Sequence, residues 1–146
     1  MTVESLIKGH EHLELKPYKC TSGKLTIGYG RNLDDRGISE READILFAPD
    51  IAQAYSDARR FVGREKFEAL DEVRQGVVID MAFNLGFTRL SGFRNFQAAL
   101  QVHDWELAMA EMLNSRWAEQ VGRRAERLSK MMRSGEWPED ESRGSE

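Results

Sequence analysis

Residues 9–30, GHEHLELKPYKCTSGKLTIGYG, decide how the start of this chain is organised. The stretch begins in the last turns of a short amphipathic helix that Thr2 can cap and that continues to about His12, with Leu6 and Ile7 turned inward. Glu11 stands at the end of that helix. Pro17 disfavours helix at Lys16, so the chain turns to strand: Tyr18 to Cys20, a turn at Thr21-Ser22-Gly23, and a second strand from Lys24 to Tyr29. On the second strand Leu25, Ile27 and Tyr29 share one face, while Lys24, Thr26 and Gly28 share the other. Gly28 and Gly30 leave the face beside Thr26 open, as the close approach of a ligand would require. The segment from Arg31 to Gly37 is charged and reads as a loop.

Beyond the hairpin the periodicity becomes helical. Ser39-x-x-Glu42 is a capping box that opens a helix running to about Phe47. Past Pro49, which either starts a new helix or kinks a long one, Ile51, Ala54, Tyr55, Ala58 and Val62 recur at helical spacing. Asp71 caps a strongly apolar helix (Val73, Val77, Val78, Met81, Ala82, Leu85) that Gly86 stops. Being apolar on most sides, it belongs at the buried centre of a helical body, ringed by helices near 93–102, 104–114 and 122–133. The pattern predicts an α+β fold with residues 1–137 as one domain. Its parts are a small lobe at about 13–38, a connecting helix at about 39–62, a helical lobe of 1–12 and 63–137, and a ligand cleft between the lobes. The acidic tail, 138–146, reads as disordered.

Composition narrows the function classes. At 146 residues with 40% apolar and 32% charged residues the chain has the makeup of a globular domain. It has no run of 18 apolar residues and no secretory signal, so neither stable membrane insertion nor export by a leader is expected. One cysteine excludes an internal disulfide. Of the net charge of −4, three negatives come from the last nine residues, where four acids face Arg143. The body is thus nearly neutral, and nucleic acid is not an expected partner. Five basic residues against Glu126 between Arg123 and Arg133 suit an anionic ligand or a solvated helix face.

The chemistry centres on Glu11-x8-Cys20-x5-Thr26. A lone proton donor facing a hairpin that carries small polar side chains suits acetal cleavage, although such sites usually hold a second carboxylate. Asp34 and Asp35 are candidates for that missing group, yet a plain turn accounts for them as well. His10-Glu11-His12 is not a metal motif, because residues two apart on a helix diverge. No metal or organic cofactor is expected.

Further motifs follow in order: TIGYG, EADILFAPDI, LDEVRQGVVIDMAFNLG, SGF, SRW at 115–117, RAER at 124–127 and the closing SGEW. In this arrangement the sequence resembles the phage lysozymes, or endolysins, over residues 3 to 137. The resemblance implies hydrolysis of the β-1,4 bond between N-acetylmuramic acid and N-acetylglucosamine in peptidoglycan. Glu11 would be the general acid, kept protonated by partial burial. Arg124 would pair with it, Thr26 would help hold the attacking water, and Gly30, Asn32 and Phe83 would border the saccharide. Glu111 and Phe96 stand where the family carries smaller polar groups. The departure is Cys20, at a position where aspartate is expected. A thiolate there would stabilise positive charge or act as base, a neutral thiol would position water with Thr26, and a third outcome is a weakened relative. With a reference pKa of about 8.5, only a few per cent of an unperturbed thiol is ionised at neutral pH.

The same resemblance implies a monomer that accumulates in the host cytoplasm and reaches the wall through a membrane breached by a holin. Rival readings are a lytic transglycosylase, which works with one acid, and a saccharide-binding module with a dead site.

Overall fold

The computed structural model describes residues 1–139, so most of the acidic tail lies outside the described residues. The chain forms two compact units, Met1–Phe47 and the residues from Ala48 onward. A small three-stranded sheet and a mostly helical remainder make this an α+β protein.

The first unit contains α1 (Val3–Glu11), the strands β1 (Glu14–Lys19), β2 (Leu25–Gly28) and β3 (Arg31–Asn32), and the beginning of α2 (Glu40–Val62). Thr2 closes the N-terminus of α1 reciprocally: its hydroxyl accepts from the Ser5 amide at 3.1 Å, and its own amide donates to the Ser5 hydroxyl. The apolar face of α1 is not buried as the pattern predicts. Leu6 and Ile7 are 45% and 50% exposed, because this unit assembles no apolar core to receive them.

The sheet is antiparallel in the order β1-β2-β3. β1 starts four residues earlier than the predicted Tyr18 and takes Pro17 into the strand. Proline is tolerated there because β1 is an edge strand and its register shifts between Glu14 and Tyr18. Cys20 falls just past the strand, in the turn. The predicted loop at Arg31 also departs from expectation, since Arg31 and Asn32 pair with Ile27 and Thr26 as a third strand.

α2 is one continuous helix with Pro49 inside it, so a new helix does not begin there. Ser39 and Glu42 form the predicted capping box, with the Glu42 amide donating to the Ser39 hydroxyl at 3.1 Å and the Ser39 amide to the Glu42 carboxylate at 2.9 Å.

The second unit holds the rest of α2, then α3 (Arg64–Glu68), α4 (Glu72–Leu85), α5 (Phe87–Leu90), α6 (Arg94–Gln101), α7 (Trp105–Leu113), α8 (Arg116–Val121) and α9 (Arg123–Ser134). α4 is capped by Asp71 and is the buried centre foreseen, with Val77, Val78 and Met81 fully enclosed. Each such side chain contributes about 1.5–3 kcal/mol by leaving water. Phe61 stacks on Phe96, whose other side meets Phe93 edge-on. Of the residues at helical spacing on α2, Tyr55 is exposed, while Phe61 is buried beside Ala58 and Val62.

Polar side chains close the helix ends in this unit. Gln97 and Gln101, one turn apart on α6, donate to the Phe61 and Val62 carbonyls at the end of α2. Arg74 donates to the Met132 and Arg133 carbonyls at 2.7 and 2.8 Å, and its guanidinium lies 4.0 Å over Trp105.

Candidate active site

Glu11 is the last residue of α1, which stops because His12 adopts φ 54°. Its carboxyl group reaches the turn between β2 and β3. A Cβ added to Gly30 would come within 2.5 Å of Glu11 Oε2, so only glycine lets the carboxylate lie there, and the φ of +75° at Gly30 suits glycine too. Glu11 is exposed rather than partly buried, for the same lack of an apolar core that leaves Leu6 and Ile7 uncovered.

Thr26 lies on the middle strand opposite Tyr18 and Asn32, and at 4% exposure it is the only buried side chain among the described residues of this unit. Its hydroxyl donates to the Lys24 carbonyl at 2.9 Å. That hydroxyl has one proton to donate and two lone pairs with which to accept. Asn32 folds its amide onto Asp35, accepting from the Asp35 amide and donating to its carboxylate, both at 3.0 Å.

Cys20 begins the tight turn. Its amide donates to the Lys24 carbonyl at 2.9 Å and its carbonyl accepts from Gly23. Sγ lies 3.1 Å from the Ser22 hydroxyl. The Ser22 hydroxyl foremost, then the backbone at Lys24 and Ser22 and the Thr26 hydroxyl, lower the thiol pKa from 9.0 to about 7. A larger share of Cys20 is therefore thiolate at neutral pH than of an unperturbed thiol.

Asp34 and Asp35 serve the turn. Asp34 accepts from the Leu25 amide at 2.7 Å, and Asp35 pairs with Lys24 at 3.1 Å. Among the described residues no group of three or more His, Cys, Asp and Glu side chains converges on a metal position.

In the second unit, Arg124 donates through Nε to Asp80 at 2.7 Å, a partner on α4 that sequence spacing did not suggest. Phe83 is 42% exposed on α4 and borders a cavity of about 350 Å³ that Asp50, Gln53 and Asp57 also line. Phe96 is buried in the core. Two participants escaped sequence reasoning: Ser22, read only as a turn residue, and the Arg31–Glu42 pair. The serine two residues after the cysteine was the available signal for the first. For the second there was only a capping-box glutamate with a carboxylate oxygen to spare.

Fold and site together define a lysozyme-like protein with one acid on a helix end and small polar groups on the neighbouring sheet. The chain belongs to the phage lysozyme family, whose model matches residues 8–134. Among similar proteins, "Probable T4-type lysozyme 1" of Dictyostelium discoideum is 24% identical over 92% of this chain and 95% of its own length. The "Endolysin" of Acyrthosiphon pisum secondary endosymbiont phage 1 is 29% identical over 82% of this chain and 80% of its own. The pre-baseplate central spike protein of Enterobacteria phage T4 is 26% identical, and there the match covers 92% of this chain but 28% of the relative. Family membership makes the chain a lysozyme-type glycosidase directed at peptidoglycan. Among the described residues no helix is long and apolar enough to cross a membrane.

Proposed function

We propose that this chain hydrolyses the β-1,4 bond between N-acetylmuramic acid and N-acetylglucosamine in bacterial peptidoglycan, as an endolysin that releases phage from its host. The observation that carries this reading is the Glu11 carboxylate resting against Gly30, beside the strand that holds Thr26. Glu11 protonates the glycosidic oxygen as the bond breaks. Positive charge then develops on the sugar ring, and water attacks its anomeric carbon.

Thr26 and Cys20 manage that water. The Thr26 hydroxyl, whose oxygen can accept from water, helps to hold and orient it. The Cys20 thiolate takes the proton that the water loses and becomes the thiol, the part that the usual aspartate plays. A pKa of about 7 suits a base working near neutral pH. Asn32, beside Thr26 on the neighbouring strand, borders the saccharide. The protein works as a monomer, gathers in the host cytoplasm, and meets peptidoglycan once a holin opens the membrane.

Product analysis tests the reaction. Mass spectrometry of digested peptidoglycan should show reducing muramic acid ends. Ends in 1,6-anhydromuramic acid would instead establish a lytic transglycosylase, and intact polymer would leave only a binding module.

A further inference from the structure

The turn that meets Glu11 has little apolar packing to hold it. Beside it runs a groove of about 580 Å³ lined by Ile27, Tyr29, Ile38, Ile45 and Leu46. The last four of these are 43–63% exposed. Van der Waals contact therefore does not fix where the Tyr29–Gly30 turn sits. A polar clasp does. Arg31, the residue after Gly30, sends Nη1 to Glu42 Oε1 at 3.0 Å and Nη2 to Glu42 Oε2 at 2.5 Å, and Nη1 also reaches the Gly37 carbonyl at 3.2 Å.

Glu42 is held in turn by the Ser39 amide. The guanidinium fork thus ties β3 to the first turn of α2 and closes the intervening loop, where Gly37 donates back to Leu33 and Arg36 to Asn32. Paired, parallel N–H···O bonds define an orientation as well as a distance, which one ammonium cannot reproduce.

We propose that Arg31 and Glu42 are positioning residues for Glu11: by clamping β3 to α2 they hold the Gly30 turn where the Glu11 carboxylate comes to rest. Neither touches substrate. Their effect reaches the reaction through one glycine, whose backbone sets where the proton donor can lie. The proposal rests on the reading of Glu11 as the acid, and its logic is that misplacing a catalytic group by about 1 Å costs about 100-fold in rate.

The test uses solubilised peptidoglycan strands and the initial rate of reducing-end release per folded molecule, well below each variant's melting temperature. Wild type, Glu11→Gln, Arg31→Ala, Arg31→Lys, Glu42→Gln and the double variant Arg31→Ala/Glu42→Gln are compared. Arg31→Ala, Arg31→Lys and Glu42→Gln should each lower kcat about tenfold or more with KM held within about twofold. The double variant should lose little more than either single one, since each already breaks the clasp. If Arg31→Ala does not fold, Arg31→Lys, which keeps the charge and loses the fork, carries the test. An unchanged kcat per folded molecule in the variants, beside an active wild type, would overturn the positioning role even if melting temperatures fell. If wild type and Glu11→Gln cleave the strands equally, or neither cleaves them, the assignment of Glu11 falls, and the proposal with it.

Discussion

The two units of this chain are held by opposite means. Every buried apolar side chain among the described residues belongs to the second unit, from Ala54 to Met132. The first unit buries only Thr26 and is held by directional polar contacts: the Thr2–Ser5 and Ser39–Glu42 boxes, the Arg31–Glu42 clasp, and Asp34 on the Leu25 amide. Glu11, Cys20 and Thr26 all lie in this polar unit. A proton donor and a water site need groups open to substrate at defined angles, which hydrogen bonds supply and a close-packed core would cover. Stability is thereby concentrated away from the residues read as reactive, so substitutions should divide cleanly by unit.

The largest effect on stability should come from the core. Phe96→Ala removes a fully buried ring from between Phe61 and Phe93 and should destabilise the fold by about 3–5 kcal/mol in denaturant titration. A loss under about 1 kcal/mol would break the contrast. Gly30→Ala should do the reverse. Its Cβ collides with the Glu11 carboxyl, so activity should fall by about 100-fold. The left-handed φ should cost only about 1–2 kcal/mol. Activity matching wild type would mean that Glu11 need not lie on that turn.

Ser39→Ala removes an N-cap and should cost about 1 kcal/mol, measured by thermal melting. The smallest effect is a titration. The alkylation rate of Cys20 should reach half its maximum near pH 7, and Ser22→Ala, which removes the foremost cause, should shift that midpoint upward. Between about pH 7 and 9 the folded chain binds fewer protons at this thiol than the unfolded chain, so this group's share of stability rises with pH across that window and is lost below it. A midpoint at 9 would remove Cys20 as a base.

The division also explains what was legible in the sequence. Where packing decides, periodicity sufficed: α4 and its Asp71 cap, the stop at Gly86 and the N-terminal capping box of α2 are where the pattern put them. Glu11, Cys20 and Thr26 stood out through their spacing and through family motifs spread along the chain. What the pattern misplaced lies chiefly in the polar unit. Leu6 and Ile7 have the period of a buried face with no core to bury them. The pairing of Arg31 and Asn32 as β3 follows from contacts made across the sheet, which a charged, turn-rich segment does not announce. Ionisation of Cys20 depends on a hydroxyl two residues away, and the Arg31–Glu42 fork spans eleven positions that share no period.

Glu11→Gln tests the central claim most directly, with reducing-end release from peptidoglycan and thermal melting measured on the same preparation. Loss of general acid catalysis should lower turnover by about 100-fold or more. Because Glu11 is exposed and outside the core, stability should stay within about 0.5 kcal/mol of wild type. Retained turnover in a folded Glu11→Gln protein would contradict the account.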